Sequence, residues 1–167
     1  MDHLVLPGTR DRAATYEALL PQLRALLGGE TDPIAVMSNI AAALHRSFGW
    51  HWVGFYRVMP GQGTTADREL VVGPFQGPVA CARIAHGTGV CGTAWREART
   101  LIVPDVDEFP GHIACSALSR SEIVVPVRDG HGEVVAVLDI DSVELNDFDG
   151  TDRTALEKVV ALLQPLF

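Results

Sequence analysis

Residues 122–142, EIVVPVRDGHGEVVAVLDIDS, contain two apolar runs joined by a short glycine-rich segment. The runs EIVVPVRD and EVVAVLDIDS have the β-branched composition of strands. The segment Gly130-His131-Gly132 separates them, which is typical of a hairpin turn. Two strands joined this closely pair as an antiparallel hairpin, so this stretch predicts an antiparallel sheet in the second half of the chain.

Helical patterns lie on both sides of the predicted sheet. Residues 12–27 predict a helix that ends at Gly28, with a break or restart at Pro21 left open. Residues 31–49 predict a second helix, with Asp32 as its N-cap and Pro33 at its first position. The apolar stripe of that helix comprises Ile34, Met37, Ala41, Leu44 and Phe48. A last helix follows DFDGTDRT, and its apolar side carries Leu156, Val159, Leu163 and Leu166.

Strand patterns fill the region between these helices. The further predicted strands are residues 50–59, 69–75, 78–85 and 101–106. The segment GTGVCGTAWREAR predicts a short helix with a glycine-rich entry. Neighbouring strands are joined by short turns, so the predicted fold is α+β, a central and mostly antiparallel sheet with helices packed on one face.

Composition excludes several classes of protein. The 167 residues are 47% hydrophobic and 20% charged, as expected for one compact domain. No apolar run reaches the roughly 18 residues of a membrane span, and the N-terminus shows no secretory signal. The net charge of −8 argues against nucleic acid or an anionic membrane as a partner. We therefore expect a cytoplasmic protein.

Three cysteines, at positions 81, 91 and 115, all lie in the middle of the chain. They could form a zinc site, a structural disulfide, part of the core or a redox centre. Zinc sites usually place Cys and His ligands in close-spaced pairs, and the chain has no CxxC motif. We therefore predict no metal site, although His112 three residues before Cys115 leaves zinc open. In a cytosolic protein a stable disulfide is unusual.

The surroundings of the cysteines differ in the sequence. Cys81 lies in a predicted strand and, taken alone, is more typical of core packing. Cys91 follows GTG at a predicted helix start, where the helix dipole stabilises a thiolate. Cys115 lies in a polar loop, DEFPGHIACSALSRS, where it is exposed to a substrate. Burial without reactivity is hardest to argue for Cys115.

Carboxylates follow the last cysteine. Asp139 and Asp141 alternate in VAVLDIDS, so both side chains point to one face of their strand. Such a pair is unfavourable unless it is used or protonated, or unless it caps the next turn and faces water. Together with Glu122 on the preceding strand, the acids could collect in one pocket. Such a pocket suits a cationic group, or supplies a carboxylic acid of raised pKa as a proton donor.

Five segments together resemble one known family, the free methionine-(R)-sulfoxide reductases, which are stand-alone GAF-domain enzymes. The matching segments are HWVGFY at 51–56, GPFQGPVACARI at 73–84, GTGVCGTA at 87–94, GHIACSALSRSEIVVPV at 111–127 and VLDIDS at 137–142. The resemblance implies a single GAF-like catalytic domain over residues 12–167. Residues 1–11 match nothing in the family and are predicted to be a disordered tail.

The resemblance also implies roles for the cysteines. Cys115 would attack the sulfoxide sulfur as a thiolate and become a sulfenic acid, while methionine leaves. Cys81 would then resolve the sulfenic acid as a disulfide, with Cys91 as the alternative resolving or shuttling thiol. A thioredoxin-type dithiol would reduce the disulfide, so no bound cofactor is expected.

The substrate pocket of the family maps onto Trp52, Glu122, Asp139 and Asp141. Trp52 would contact the methyl group, whereas the adjacent Phe55 and Tyr56 are assigned to the core. Glu122 and Asp141 would bind and help to protonate the sulfoxide oxygen, and Asp139 would orient the site or face the ammonium group. Backbone amides of residues 117–121 would bind the substrate carboxylate. Ser116 departs from the family, which often has an acid after the nucleophile.

Two other functions remain open at this point. The first alternative is a GAF domain that senses a small molecule, and the second is a module that senses peroxide through the same thiols. Sensors usually accompany an output domain, and no such domain is evident in these 167 residues. A homodimer is compatible with the predicted fold.

Overall fold

The structure, a computed structural model, describes residues 4–8, 11–62, 68–112 and 116–167. The helices are Arg12–Leu27 (α1), Pro33–Phe48 (α2), Gly89–Glu97 (α3) and Gly150–Val160 (α4). The strands are Trp52–Pro60 (β1), Arg68–Gln76 (β2), Arg83–Ala85 (β3), Leu101–Val103 (β4), Ser121–Arg128 (β5) and Val134–Ser142 (β6). Short 3-10 helices span Val106–Glu108 and Gln164–Leu166. None of the helices in these ranges is long and apolar enough to cross a membrane.

The strands form one sheet in the order β3-β2-β1-β6-β5-β4. Each neighbouring pair in this sheet is antiparallel. The predicted hairpin is present as β5 and β6, and β6 also pairs with β1 at the centre of the sheet. The predicted α+β class is therefore confirmed, and the centre of the sheet joins residues that are far apart in sequence.

Helices cover both faces of the sheet, which extends the prediction of helices on one face. α1, α2 and α4 pack on the first face against apolar side chains such as Val53 and Phe55. α3 packs on the second face, together with Trp52 and Tyr56. The reason lies in the alternation of strand side chains. Because β1 is apolar in both directions, its second face also needs a cover, and α3 provides part of it.

Local signals at the start of α2 act as predicted. The Asp32 carboxylate accepts hydrogen bonds from the amides of Ile34 (2.7 Å) and Ala35 (3.0 Å), and Pro33 begins the helix. The predicted apolar stripe is wrong at Ile34, which is 39% exposed, whereas Ile40 is fully buried. A side chain in the first turn of this helix extends beyond the edge of the core.

Part of the N-terminal segment contacts α1. α1 continues through Pro21 without a break. Leu4 and Leu6 pack against the core, and the backbone of Val5 exchanges two hydrogen bonds of 2.8 Å with the Gln22 side chain. This described part of the predicted disordered tail is therefore in contact with α1, while residues 1–3 and 9–10 lie outside the described residues.

Two strands are shorter than predicted. The strand expected at 78–85 begins only at Arg83, so Cys81 lies in the preceding loop. The strand expected at 101–106 ends at Val103, because Pro104 has no amide hydrogen to continue the ladder. The Asp105 side chain instead accepts a hydrogen bond from the Asp107 amide and begins a 3-10 helix. These differences place loops at the edge of the second face.

Candidate active site

A pocket of about 540 Å³, including its open mouth, lies on the second face of the sheet. It is bounded by β1, β5, β6, the N-terminal end of α3, the loop segment 78–80 and the loop residues His112, Ser116 and Ser119. Its chemically distinctive lining residues are Trp52, Tyr56, Cys91, Glu122, Asp139 and Asp141. The lining combines apolar walls with a few titratable groups, as small-molecule sites do.

The structure brings the acids of β5 and β6 into this pocket. Glu122 on β5 is the direct partner of Asp141 on β6, and Val124 is the partner of Asp139. Asp139 and Asp141 are two residues apart on one strand, so their side chains leave the same face of the sheet. The predicted gathering of three acids in one pocket is therefore present, since all three line it.

Burial raises the pKa of all three carboxyl groups. The pKa of Glu122 lies well above its usual value because of desolvation, and the charges of Asp139 and Asp141 raise it further. Desolvation is also the main cause for Asp139, followed by the charge of Asp141. Burial raises the pKa of Asp141 to about 6, although a hydrogen bond with Ser119 opposes the shift. The pocket therefore holds neutral carboxylic acid near pH 7, which can donate a proton.

Cys91 is a free and buried thiol at the start of α3. Its Sγ atom lies 3.9 Å from Oε1 of Glu122, within the range of a hydrogen bond from sulfur. The sequence predicts a stabilised thiolate here, but burial raises the pKa of Cys91 well above its usual value, and Asp139 and Glu122 raise it further. Desolvation and two nearby acids outweigh the favourable field of a short helix.

Asp139 has one oxygen without a visible partner. Among the described residues, no group forms a hydrogen bond with Oδ1 of Asp139, although this atom is buried. Buried polar groups in proteins nearly always have a partner. The unpaired oxygen therefore indicates that a group from outside the described residues completes this part of the pocket.

His112 extends the polar side of the pocket. Its Nε2 atom lies 3.9 Å from Oε2 of Glu122. Desolvation lowers the pKa of His112, although the charge of Asp107 opposes this effect. Because the pKa of the imidazole is lowered and that of the Glu122 carboxyl is raised, a neutral pair is favoured near pH 7.

Trp52 forms an apolar wall of the pocket. Its ring stacks between Phe75, at a centroid distance of 5.3 Å, and Tyr56, at 5.8 Å. The indole nitrogen donates a 3.1 Å hydrogen bond to the carbonyl of Pro78, which fixes the orientation of the ring. A Cβ atom at Gly54 would lie 2.4 Å from the Trp52 ring, so the ring needs a glycine beneath it.

Tyr56 is a pocket residue that the sequence analysis assigned to the core. It lines the pocket, and the pKa of its hydroxyl is raised first by burial and then by the charge of Asp139. Phe55, in contrast, lies in the core on the first face, as predicted. The alternation along β1 contained the signal, because Tyr56 is four residues after Trp52 and faces the same side.

The structure describes two of the three cysteines, and their environments differ. Cys81 is half-buried in the loop before β3 and is part of a disulfide. Cys91 is free and buried, as described above. Cys115, the predicted nucleophile, lies outside the described residues, as do the two residues before it. The described chain resumes at Ser116, which lines the pocket, as does His112 before the gap.

The segment after Cys115 contacts the residue that precedes β1. Nε2 of His51 lies 3.0 Å from Oγ of Ser116, and the same hydroxyl accepts a hydrogen bond of 3.2 Å from the Leu118 amide. No local pattern in the sequence marks His51 as a functional residue. The contact spans 65 residues of sequence, so only the folded chain reveals it.

The amides of residues 117–121 are only in part available for a carboxylate. The Leu118 amide donates to Ser116, and the Arg120 amide donates a 2.8 Å hydrogen bond to the Ser142 carbonyl. Ser121 is already part of β5. The predicted carboxylate site is therefore narrower than the sequence analysis proposed, with Ala117 and Ser119 as its remaining candidates.

Fold and site together define the class of this protein. A sequence profile of the GAF domain family matches residues 30–164, most of the chain. The chain therefore belongs to the GAF-domain family, and the predicted GAF-like fold is confirmed.

Individual relatives narrow this assignment. The chain is similar to the structure of a free methionine-R-sulfoxide reductase from Neisseria meningitidis in complex with its substrate. That match has 48% identity and a TM-score of 0.90, and it covers 98% of this chain and 94% of the other. The free methionine-R-sulfoxide reductase of Escherichia coli is 41% identical over 89% of this chain and 86% of its own length. GAF domain-containing protein A of Dictyostelium discoideum is 53% identical over 89% of both chains. The resemblance to the free methionine-(R)-sulfoxide reductases is thus confirmed.

Proposed function

We propose that this protein reduces free L-methionine-(R)-S-oxide to L-methionine. The observation that supports the proposal most strongly is the cluster of buried acids of raised pKa in a pocket bounded by Trp52. A sulfoxide oxygen leaves sulfur readily only when it is protonated, and a neutral carboxylic acid provides that proton. The similarity to a reductase solved with its substrate supports the same conclusion.

In the proposed reaction, the oxygen atom moves from the substrate to the enzyme. The Cys115 thiolate attacks the sulfoxide sulfur, and Glu122 or Asp141 protonates the oxygen. The sulfoxide is reduced to methionine, and Cys115 is oxidised to a sulfenic acid that carries the transferred oxygen. The thiol of Cys81 then attacks the sulfenic acid, so that a disulfide forms and water leaves.

An external dithiol completes the cycle. A thioredoxin-type dithiol attacks the disulfide and returns two thiols, while its own cysteines become a disulfide. Electrons thus enter through exchange between thiols, and the proposed reaction needs no bound cofactor. This exchange belongs to the reducing cytoplasm that the sequence analysis predicts.

Cys81 is the resolving thiol that the contacts favour. It is half-buried rather than buried, and it is part of a disulfide in this structure. As the resemblance implies, we propose that Cys81 forms its disulfide with Cys115 when the sulfenic acid is resolved. Cys91 is disfavoured as a nucleophile, because burial and nearby acids raise its pKa. Its thiol instead donates a hydrogen bond to Glu122.

The pocket residues have complementary roles in substrate binding. Trp52 contacts the methyl group, because it forms an apolar wall and its indole is already bonded to Pro78. The unpaired Oδ1 of Asp139 accepts a hydrogen bond from the substrate ammonium. This arrangement accounts for selection of the free amino acid, since a methionine within a peptide has no ammonium group.

Single-turnover formation of methionine tests the proposal. We expect Cys115→Ser to form no methionine, whereas Cys81→Ser and Cys91→Ser should each release about one equivalent per chain, because resolution follows the first chemical step. Each protein is reduced, freed of reductant and mixed with each sulfoxide epimer. Turnover by Cys115→Ser, or a preference for the S epimer, would contradict the assignment. Substrate binding without methionine formation by the wild type would indicate a sensor instead.

A further inference from the structure

Three potential metal ligands meet in the pocket although they come from three separate elements. Cys91 belongs to α3, Glu122 to β5 and Asp139 to β6. One ligand atom from each lies within 4.8 Å of the ligand atoms of the other two, and all three residues are buried. Ligands so far apart in sequence have no recognisable spacing, which explains why the motif analysis predicted no metal site.

We propose that Cys91, Glu122 and Asp139 bind Zn²⁺ at a site that overlaps the substrate pocket. One sulfur and two carboxylate oxygens are a donor set that suits Zn²⁺, and they leave a fourth position open for water or a ligand. Magnesium and calcium prefer oxygen ligands alone, so the thiol selects against them. Binding releases the thiol proton and the protons of the two carboxyl groups to solvent, because each group must be deprotonated to act as a ligand.

The distance between the sulfur and one carboxylate oxygen is close to that of a tetrahedral zinc site. With Zn–S of about 2.3 Å and Zn–O of about 2.1 Å, tetrahedral geometry places sulfur and oxygen about 3.6 Å apart. The observed distance from Sγ of Cys91 to Oε1 of Glu122 is 3.9 Å. This pair therefore needs a movement of only a few tenths of an ångström, and the Asp139 oxygen lies within 4.8 Å of both atoms.

A second observation points to a ligand at the same place. Oδ1 of Asp139 is buried and has no hydrogen-bond partner among the described residues, and Asp139 as a whole is 7% exposed. A buried carboxylate oxygen that no neighbouring group satisfies is available to coordinate a cation. The side chain lines the pocket, so a metal ion can reach it from the open mouth.

His112 supplies the outer contact that zinc sites commonly contain. Its Nε2 atom lies 3.9 Å from Oε2 of Glu122, the oxygen that does not face Cys91. An N–H group at this position donates to the free oxygen of the ligating carboxylate and orients it. His112 is therefore a positioning residue for the metal, and we do not place it among the ligands.

Occupation of this site has a consequence for the proposed function. Glu122 and Asp139 cannot ligate Zn²⁺ and contact a sulfoxide at the same time, so the metal should compete with the substrate. This consequence rests on the proposed function, whereas metal binding itself does not. The two are therefore tested by separate measurements.

Cobalt is the probe for metal binding, because Co²⁺ binds at zinc sites and its bond to a thiolate absorbs in the near ultraviolet. Reduced protein is titrated with Co²⁺ without oxygen, and Zn²⁺ is then added to displace it. We expect one Co²⁺ per chain with a thiolate band. Cys91→Ser should lose the band, and Asp139→Asn should weaken binding by more than the roughly 10- to 100-fold cost of an outer contact. His112→Gln should weaken binding within that range.

Cys81→Ser is the matched control, because it removes a thiol that the proposed site does not use. It should keep the band and the affinity of the wild type. Circular dichroism verifies that each variant is folded. If Cys91→Ser does not fold, Asp139→Asn tests the metal site with a side chain of nearly the same shape. Absence of the band, its survival in Cys91→Ser or its loss in Cys81→Ser would overturn the site. Competition between Zn²⁺ and sulfoxide is then measured, and a metal site without competition would contradict only the overlap.

Discussion

Asp152 and Asp139 are both buried carboxyl groups, but hydrogen-bond donors surround Asp152 whereas other acids surround Asp139. Asp152 at the junction of α1 and α4 is satisfied from several sides. It accepts hydrogen bonds from Arg12 (2.9 Å), from the Tyr16 hydroxyl (2.9 Å) and from the Asp149 amide (3.0 Å). Asp139 in the pocket faces other acids, and its Oδ1 atom has no partner among the described residues.

The difference separates a structural acid from a functional one. A buried charge that is matched by a cation and hydrogen bonds helps to define one arrangement of the chain, as Asp152 does for the two helices. Buried acids that lie together without a cation keep their protons, because burial and mutual repulsion raise their pKa. Such groups are unfavourable for stability and useful for proton transfer.

The largest expected effect concerns the acids of the pocket and the rate of methionine formation. Glu122→Gln preserves the size of the side chain but removes the titratable proton, so single-turnover methionine formation should fall by about 10²- to 10⁴-fold. The free energy of unfolding should not fall, because a neutral amide replaces a buried acid. Glu144→Gln, at an exposed position, is the matched control. Equal rates in Glu122→Gln and wild type would remove the proposed proton donor.

The next effect concerns the helix junction. Asp152→Ala should lower the free energy of unfolding by about 3 kcal/mol, because Arg12 and Tyr16 lose their partner. Urea denaturation measures this loss, and methionine formation per folded molecule should stay near that of the wild type. Glu17→Ala, on the exposed side of α1, should change stability by less than about 0.5 kcal/mol. A variant Asp152→Ala that keeps its stability but loses its activity would show that Asp152 is a functional acid and not a structural one.

The smallest effect is a dependence of stability on pH. The pKa of Asp141 in the folded protein is raised to about 6, above the value of about 3.9 expected for an unfolded chain. The stability that this group contributes is therefore fully present below about pH 4 and lost as the pH rises to about 6. Asp141→Asn should show a smaller decline in this window when urea denaturation is repeated across it. An unchanged decline would show that Asp141 is solvated.

Much of the fold follows from local sequence. The hairpin of β5 and β6 is fixed by two β-branched runs and a glycine turn, and the start of α2 is fixed by Asp32 and Pro33. The length of a strand is less certain, since the predicted strand around Cys81 begins only at Arg83. The length of a strand depends on the neighbouring strand with which its backbone forms hydrogen bonds, and the local sequence does not show that neighbour.

The candidate site also has features that follow from local sequence and features that depend on the fold. Asp139 and Asp141 share a face because side chains alternate along a strand, and this alternation is a local property. The pairing of Glu122 with Asp141 also follows from the hairpin. Tyr56 was assigned to the core although strand alternation places it on the same face as Trp52. His51 had no local signal, because its contact with Ser116 joins two distant parts of the chain.

The sequence by itself determined which chemical groups the protein has and which of them lie on one face of a strand, because strand alternation and turns depend on neighbouring residues. Only the tertiary structure decided the surroundings of these groups. The same residue type at Asp139 and Asp152 is surrounded by acids in one place and by Arg12 and Tyr16 in the other. Tertiary structure also made Cys91 a neutral thiol beside Glu122, against the expectation from its helix start. The physical reason is that desolvation and charge interactions depend on distance in space, and distance in space is set by strand order and helix packing.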